Sequence, residues 1–199
     1  MKKRVAVFVS GGGTNLQVLL DAQASGALRS GEIALVIASR PGVFALERAA
    51  KAGVPGFAIS RKDLGLPAFE AQCVALLEQY RIDYIVLAGF LTILSEEFIR
   101  RFPNKIINVH PALIPAFCGK GFYGLRVHEA ALERGVKLTG ATVHFVNEIC
   151  DGGPIIAQQA VEVLPGDTPE ALQRRVMEQA EWVLLPQALE MVCNLEGEE

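Results

Sequence analysis

"RVAVFVSGGGTNLQVLLDAQA", residues 4–24, holds three kinds of local order in succession. Arg4 to Val9 is a short apolar run rich in valine, Ser10-Gly11-Gly12-Gly13 stops it, and Thr14 to Ala24 spaces its apolar residues as an amphipathic helix does. The reading is strand, tight turn, helix. Working outward, the alternation repeats, with strands expected near Ile33 to Ala38, Gly56 to Ile59 and Tyr84 to Ala88, and helices near Phe44 to Ala52 and Ala68 to Tyr80. These strands are continuously apolar, which marks strands covered on both faces. An α/β fold with a doubly wound, mostly parallel sheet follows.

After Tyr84 to Ala88 come a short helix near Ser95 to Arg101 and a strand from Lys105 to His110. Then the pattern changes. Residues 111–123, rich in Pro, Gly and aromatics, read as a long loop, and Leu125 to Arg134 reads as a helix. Two strands near Lys137 to Val146 and Ile155 to Val163 are separated by the turn around Asp151-Gly152-Gly153-Pro154, so an antiparallel C-terminal strand pair is expected. A last helix starts at Asp167 or Thr168, where a capping residue precedes Pro169 and Glu170. Pro186 is expected to kink or interrupt it. With no internal repeat or linker, residues 1–199 are expected to form a single domain.

Apolar residues make up 51% of the 199 and charged residues 21%, the balance of a chain able to bury a core rather than remain disordered. The formal charge of -3, with no basic run longer than Lys2-Lys3-Arg4, argues against nucleic acid as a partner. Cys73, Cys118, Cys150 and Cys193 show no C-x-x-C spacing and are expected to be free thiols in a reducing cytoplasm. The apolar run before Gly11 is too short for a secretion signal, and no stretch of 18 apolar residues occurs. A soluble, cytoplasmic protein without a membrane partner is the expectation.

The turn "SGGGTN", residues 10–15, sits between the first strand and the first helix, where successive N–H groups and the positive helix end can hold an anion such as a phosphate. The dinucleotide fingerprint is absent, because its third glycine falls at Leu16, and so is the lysine of a P-loop. Thr14 and Asn15 can add side-chain donors; Thr14 can equally cap the helix.

"INVHPALIP", residues 107–115, places Asn108 and His110 on one side of a strand, at the carboxyl end where open α/β sheets bind ligands. An amide beside an imidazole is a pair of polarising donors. Asp151 is a candidate partner, since a nearby carboxylate favours the charged imidazole. A structural histidine and an ordinary Asp-Gly turn remain open alternatives. His144 cannot be assigned to a face, and His128 is expected on the surface of its helix. No spacing calls for a metal.

Taken together, "SGGGTN", "LAGFLTIL", "INVHPALIPAF", "GATVHFVNEICDGGPIIAQ" and "EWVLLP" resemble, in order and spacing, the glycinamide ribonucleotide formyltransferases. Their most specific element is N-x-H-P followed about forty residues later by V-H-F-V-x-x-x-x-D-G-G-P, a pair that marks formyltransferase catalytic domains generally. The resemblance covers nearly the whole chain. It implies a Rossmann-like formyltransferase fold, 10-formyltetrahydrofolate as co-substrate with no metal, and glycinamide ribonucleotide as the acceptor. It further implies Asn108, His110 and Asp151 as the catalytic trio; Gly13, Thr14 and Asn15 at the ribonucleotide phosphate; and Glu181 at the ribose hydroxyls. Leu91, Thr92, Ile93 and Leu94, with Asn147, Glu148, Ile149, Cys150 and Asp151, are implied as walls of the folate pocket, together with Asn108. The chain is expected to work as a monomer or homodimer.

Two departures are visible. Thr92 stands where the family often has arginine, and so does Leu66, so contacts to the folate tail are not carried over. Methionyl-tRNA formyltransferase, formyltetrahydrofolate hydrolase and sugar-nucleotide formyltransferases share the trio. The expected single domain and the acidic balance favour the ribonucleotide enzyme over them. A non-catalytic nucleotide-binding module would need the glycine turn but not the trio.

Overall fold

The structure, a computed structural model, describes residues 1–195; residues 196–199 of the expected domain lie outside the described ones. Its strands are β1 (Lys3–Val9), β2 (Gly31–Ala38), β3 (Gly56–Ala58), β4 (Tyr84–Leu87), β5 (Ile106–His110), β6 (Leu138–Phe145) and β7 (Ile155–Glu162). They form one seven-stranded sheet in the order β3-β2-β1-β4-β5-β6-β7. The pairings from β3 through β5 are parallel, and β5–β6 and β6–β7 are antiparallel. The expected antiparallel pair is thus the continuation of the parallel sheet.

The helices are α1 (Thr14–Ser25), α2 (Phe44–Lys51), α3 (Arg61–Leu64), α4 (Leu66–Gln79), α5 (Glu96–Arg101), α6 (Leu125–Arg134), α7 (Pro169–Val176) and α8 (Trp182–Asn194). Alternation along β1 explains why they cover both faces. Val5, Val7 and Val9 enter one core with Leu16 and Leu19 of α1 and Leu185 and Leu189 of α8. Ala6 and Phe8 enter the other with Phe69, Cys73 and Leu77 of α4 and Phe98 of α5. Full burial of one such large side chain contributes about 1.5–3 kcal/mol. A sheet clad this way leaves its strand ends, rather than its faces, for ligands.

Two local features depart from expectation. The short helix α3 was not foreseen; Ser60 caps it by accepting from the Asp63 amide at 3.4 Å, and Gly65, at φ 74°, separates it from α4. In the C-terminal segment Thr168 accepts from the Ala171 amide at 3.2 Å and caps α7 as expected. The irregularity comes ahead of Pro186: Met177–Glu181 form a π-helical turn, and α8 then runs through the proline. A proline crowds the carbonyl four residues before it, here Trp182, and a wider turn beside that residue gives it room.

Candidate active site

β1, β4 and β5 run parallel and end along one edge of the sheet, so the glycine turn after β1, the segment after β4 and the polar end of β5 become neighbours. The Ser10 hydroxyl ties two of them by accepting from the Leu91 amide at 3.0 Å. Gly11 to Asn15 line a cleft of about 230 Å³ with Ala88 and Gly89. Gly13, at φ 74°, is the helix N-cap and carries no side chain, so Thr14 is the first helical residue and not a cap.

Asn15 donates to Glu181 at 2.8 Å across 166 positions of chain. Both residues are buried, and the Asn15 Oδ1 has no hydrogen-bond partner among the described residues. Burial pushes the Glu181 carboxyl above its usual range, and the Asn15 bond offsets only part of that. Glu181 closes the π-helical turn, which sets its carboxylate inward; by helical pattern alone it looks like a surface residue.

In β5, Ile107 and Val109 turn to the core, which leaves Asn108 and His110 on the opposite side. Register with β6 sets His144 directly opposite Asn108, and Asn108 Nδ2 lies 3.2 Å from His144 Nε2. His144 Nδ1 meets the Phe145 carbonyl at 2.8 Å, so the ring is held from both ends. His144, unassigned from sequence, therefore belongs to the cluster. Antiparallel pairing of β5 with β6 was the missing signal, because opposed residues share a face.

Asp151 is held between the two imidazoles. Its Oδ2 is 3.7 Å from His110 Nδ1, its Oδ1 is 3.7 Å from His144 Nε2, and Oδ2 accepts from the Gly119 amide at 2.8 Å. The residue adopts φ 54°, an uncommon conformation for a side-chain-bearing residue. Burial alone would raise its pKa, but the two imidazoles facing it and the bond from the Gly119 amide outweigh that and hold it below the usual carboxylate range. Gly153 permits the turn, since a Cβ there would lie 1.8 Å from the Phe145 carbonyl oxygen.

His110 is buried, and its Nε2 sits 2.8 Å from the Phe117 carbonyl. Both ring nitrogens thus face oxygen, Nε2 within hydrogen-bond distance and Nδ1 beyond it. The 111–124 segment is pinned where it leaves β5. Buried Thr142 donates to the Ala112 carbonyl at 2.7 Å and accepts from the Ile114 amide at 3.1 Å, while Gln158 donates to Thr142 and to the Ile114 carbonyl. Phe117 and Gly119 act through backbone groups, which no residue-type motif reveals.

Of the expected folate-wall residues, Leu91 and Ile93 are 65% and 66% exposed, Thr92 is half-buried, and Leu94 turns into the second core. Asn147 donates to the Gly152 carbonyl and accepts from the Ile149 amide, shaping the turn that carries Asp151. Glu148, Ile149 and Cys150 are exposed, and Glu148 pairs with Arg100 at 3.2 Å. Among the described residues, no group of three or more His, Cys, Asp or Glu is placed to hold a metal ion, and no helix is long and apolar enough to cross a membrane.

One expectation is overturned. His128 is not on the surface of α6 but fully buried, with neither ring nitrogen hydrogen-bonded among the described residues. Burial, with the nearby charge of His110, pushes its pKa down from 6.5 to about 4. As pH falls from 6.5 towards 4 the unfolded chain takes up a proton that the folded chain refuses, so stability declines across that window by about 3 kcal/mol. His128→Leu is expected to remove this decline, read as the difference in unfolding free energy between pH 7 and pH 4.5. An unchanged pH dependence in the variant counts against it.

A formyl transferase family model matches residues 3–189. The chain is 42% identical over 195 residues to the trifunctional purine biosynthetic protein adenosine-3 of Drosophila melanogaster, covering 97% of this chain and 14% of that protein. It is 38% identical over 195 residues to the chloroplastic phosphoribosylglycinamide formyltransferase of Arabidopsis thaliana, covering 97% of this chain and 66% of that protein. The crystal structure of glycinamide ribonucleotide transformylase 1 from Symbiobacterium toebii superposes with a TM-score of 0.90 at 41% identity, covering 98% of this chain and 89% of that one. The chain thus spans a small part of the trifunctional relative and just under two thirds of the plant one. The family model covers nearly all of the chain and the solved relative superposes along almost its whole length: the chain belongs to the formyl transferase family.

Proposed function

We propose that the chain transfers the formyl group of 10-formyltetrahydrofolate to the amine of glycinamide ribonucleotide, yielding formylglycinamide ribonucleotide and tetrahydrofolate in purine biosynthesis. The observation that carries this reading is a single carboxylate, Asp151, facing two imidazoles at 3.7 Å beside Asn108 at the carboxyl end of β5. The amine nitrogen attacks the formyl carbon and forms the new C–N bond. The carbonyl electron pair moves to oxygen, and the bond to the folate nitrogen then breaks as a proton passes from the amine to that nitrogen.

The developing oxyanion needs donors. Asn108 has a second amide hydrogen beyond the one facing His144. The His110 ring is oriented by the Phe117 carbonyl, and its Nδ1 faces Asp151 across a gap longer than a hydrogen bond. That gap leaves Nδ1–H available to an oxyanion seated between the ring and Asp151, with the Asp151 charge stabilising the imidazolium. His110 with Asp151, directly or through a water, then relays the proton. Holding two substrates side by side lowers the barrier further.

The glycine turn, with Gly13, Thr14 and Asn15, seats the ribonucleotide phosphate, and Glu181 takes the ribose hydroxyls. Leu91 to Leu94 and Asn147 to Asp151 flank the folate. On this reading residues 1–199 are one catalytic domain acting on small molecules in the cytoplasm, as a monomer or homodimer. The test is a formylation assay with glycinamide ribonucleotide, with no acceptor, and with a sugar-nucleotide amine. Product with the ribonucleotide alone is expected. Equal folate consumption without an acceptor indicates a hydrolase instead, and preference for the sugar amine displaces the ribonucleotide.

A further inference from the structure

We infer, resting on the reading of the glycine turn as the phosphate seat, that Arg40 and Arg48 are positioning residues for the substrate's phosphate. From behind the turn they hold its carbonyls away from the anion and supply fixed positive charge that favours a dianionic group.

The hydrogen bonds carry the argument. Arg40 Nε donates to the Ser10 carbonyl at 2.8 Å, and Arg48 Nε donates to the Gly12 carbonyl at 2.8 Å. Between and after them, the Gly11 carbonyl accepts from the Ala45 amide at 3.3 Å and the Gly13 carbonyl from the Gln17 amide at 2.9 Å. Every carbonyl from Ser10 to Gly13 is therefore occupied, by the segment between β2 and α2, by α2 or by α1. In a planar trans peptide the N–H points opposite to the C=O, so the Ser10, Gly11 and Gly12 carbonyls, drawn to the α2 side, send the Gly11, Gly12 and Gly13 amides to the other side. Among the described residues, none of the amides from Gly11 to Gly13 donates to a backbone carbonyl. They border the 230 Å³ cleft, where the Asn15 side chain, 8% exposed, also has an unpartnered oxygen.

The two guanidiniums are held differently. Arg48 also donates to Gln17 Oε1 at 2.8 Å and lies 4.8 Å over the Phe44 ring, so its charge is fixed in place. Arg40 is exposed and lines a second cleft of about 370 Å³ that shares Gly11 and Gly12 with the first. Guanidinium stays charged at any working pH. Its attraction for a ligand scales with ligand charge, so a dianion gains more from both arginines than a monoanion does.

The test uses Arg40→Met, Arg48→Met and the double variant in the full chain, with lysine at each position as the conservative change. The Michaelis constant for glycinamide ribonucleotide and the inhibition constant of inorganic phosphate are each expected to rise about five- to tenfold per arginine. The folate Michaelis constant and kcat are expected to move by less than about threefold. Because the effect is one of charge, raising salt weakens ribonucleotide binding less in the double variant than in the wild type. Lysine restores part of the affinity and the salt response. Should Arg48→Met fail to fold, Arg40→Met alone decides, since Arg40 is exposed. A double variant with wild-type ribonucleotide affinity and wild-type salt response overturns the inference. A wild-type chain that neither saturates with ribonucleotide nor responds to phosphate removes instead the reading of the turn on which the inference rests.

Discussion

Asp151→Asn is expected to lower kcat by about 100- to 1000-fold at pH 7, the loss typical when one charged contributor to oxyanion stabilisation is removed. His110→Ala and Asn108→Ala are expected to fall in the same range. Asparagine retains an oxygen that can accept from the Gly119 amide, so the 111–124 segment keeps its anchor and folate binding is expected to change little. What is lost is the negative charge facing His110 Nδ1 and His144 Nε2.

The direction of the Asp151 shift gives this prediction a pH signature. Its pKa is held below the usual carboxylate value, so the wild-type side chain is ionised throughout the range from pH 5 to 8. Across that range no part of the variant's deficit should therefore come from protonation of Asp151 itself. The same depression means that ionised Asp151 stabilises the fold above the unfolded carboxylate pKa, and this contribution fades as pH falls through the folded value. Turnover of the purified, folded Asp151→Asn protein within threefold of wild type would remove the carboxylate from the mechanism.

The second large effect is at the glycine turn. Gly13→Asp is expected to raise the Michaelis constant for the ribonucleotide by about 100-fold or more, and that for folate far less. Gly13 sits at φ 74°, where a side chain costs about 1–2 kcal/mol. A Cβ there would also lie 2.7 Å from Ala45 Cβ and 2.9 Å from Ala45 Cα, so α2 itself must shift. On that side the Cβ would lie 3.5 Å from Arg48 Cδ, so a carboxylate there opposes the arginine's positive charge behind the phosphate. Gly13→Ala separates the two causes, because it shares the strain and the contact but not the charge. Circular dichroism and folate affinity verify folding in both. Equal effects on the two substrates would place the phosphate elsewhere.

Much of this was legible before any coordinates. The continuous apolar runs of β1, β2 and β4 announced a sheet covered on both faces, and the alternation of Val5, Val7 and Val9 with Ala6 and Phe8 divides into the two cores. Asn108 and His110 share a side because strand periodicity requires it. Local signals were enough where the relevant partners are near in sequence, as at Thr168 and the start of α7.

Other features depend on contacts that local pattern does not encode. The burial of His128 is not legible in the sequence, because the helical spacing of α6 says which residues share a face but not what packs on that face. The π-helical turn is not legible either, because proline is a conspicuous breaker, whereas a widened turn leaves no compositional mark. His144 could be assigned only once β6 was known to pair antiparallel with β5 at that register.

The sequence by itself determined the class of fold, the glycine turn between β1 and α1 and the side of β5 that carries Asn108 and His110, because strand and helix periods and glycine's freedom act over a few residues. Only the tertiary structure decided that Asp151 stands between His110 and His144, that Glu181 meets Asn15, and that Arg40 and Arg48 grip the back of the glycine turn. Those meetings join groups 7 to 166 positions apart. They are fixed by strand order, register and the packing of helices on the sheet, which are properties of the whole chain rather than of any stretch of it.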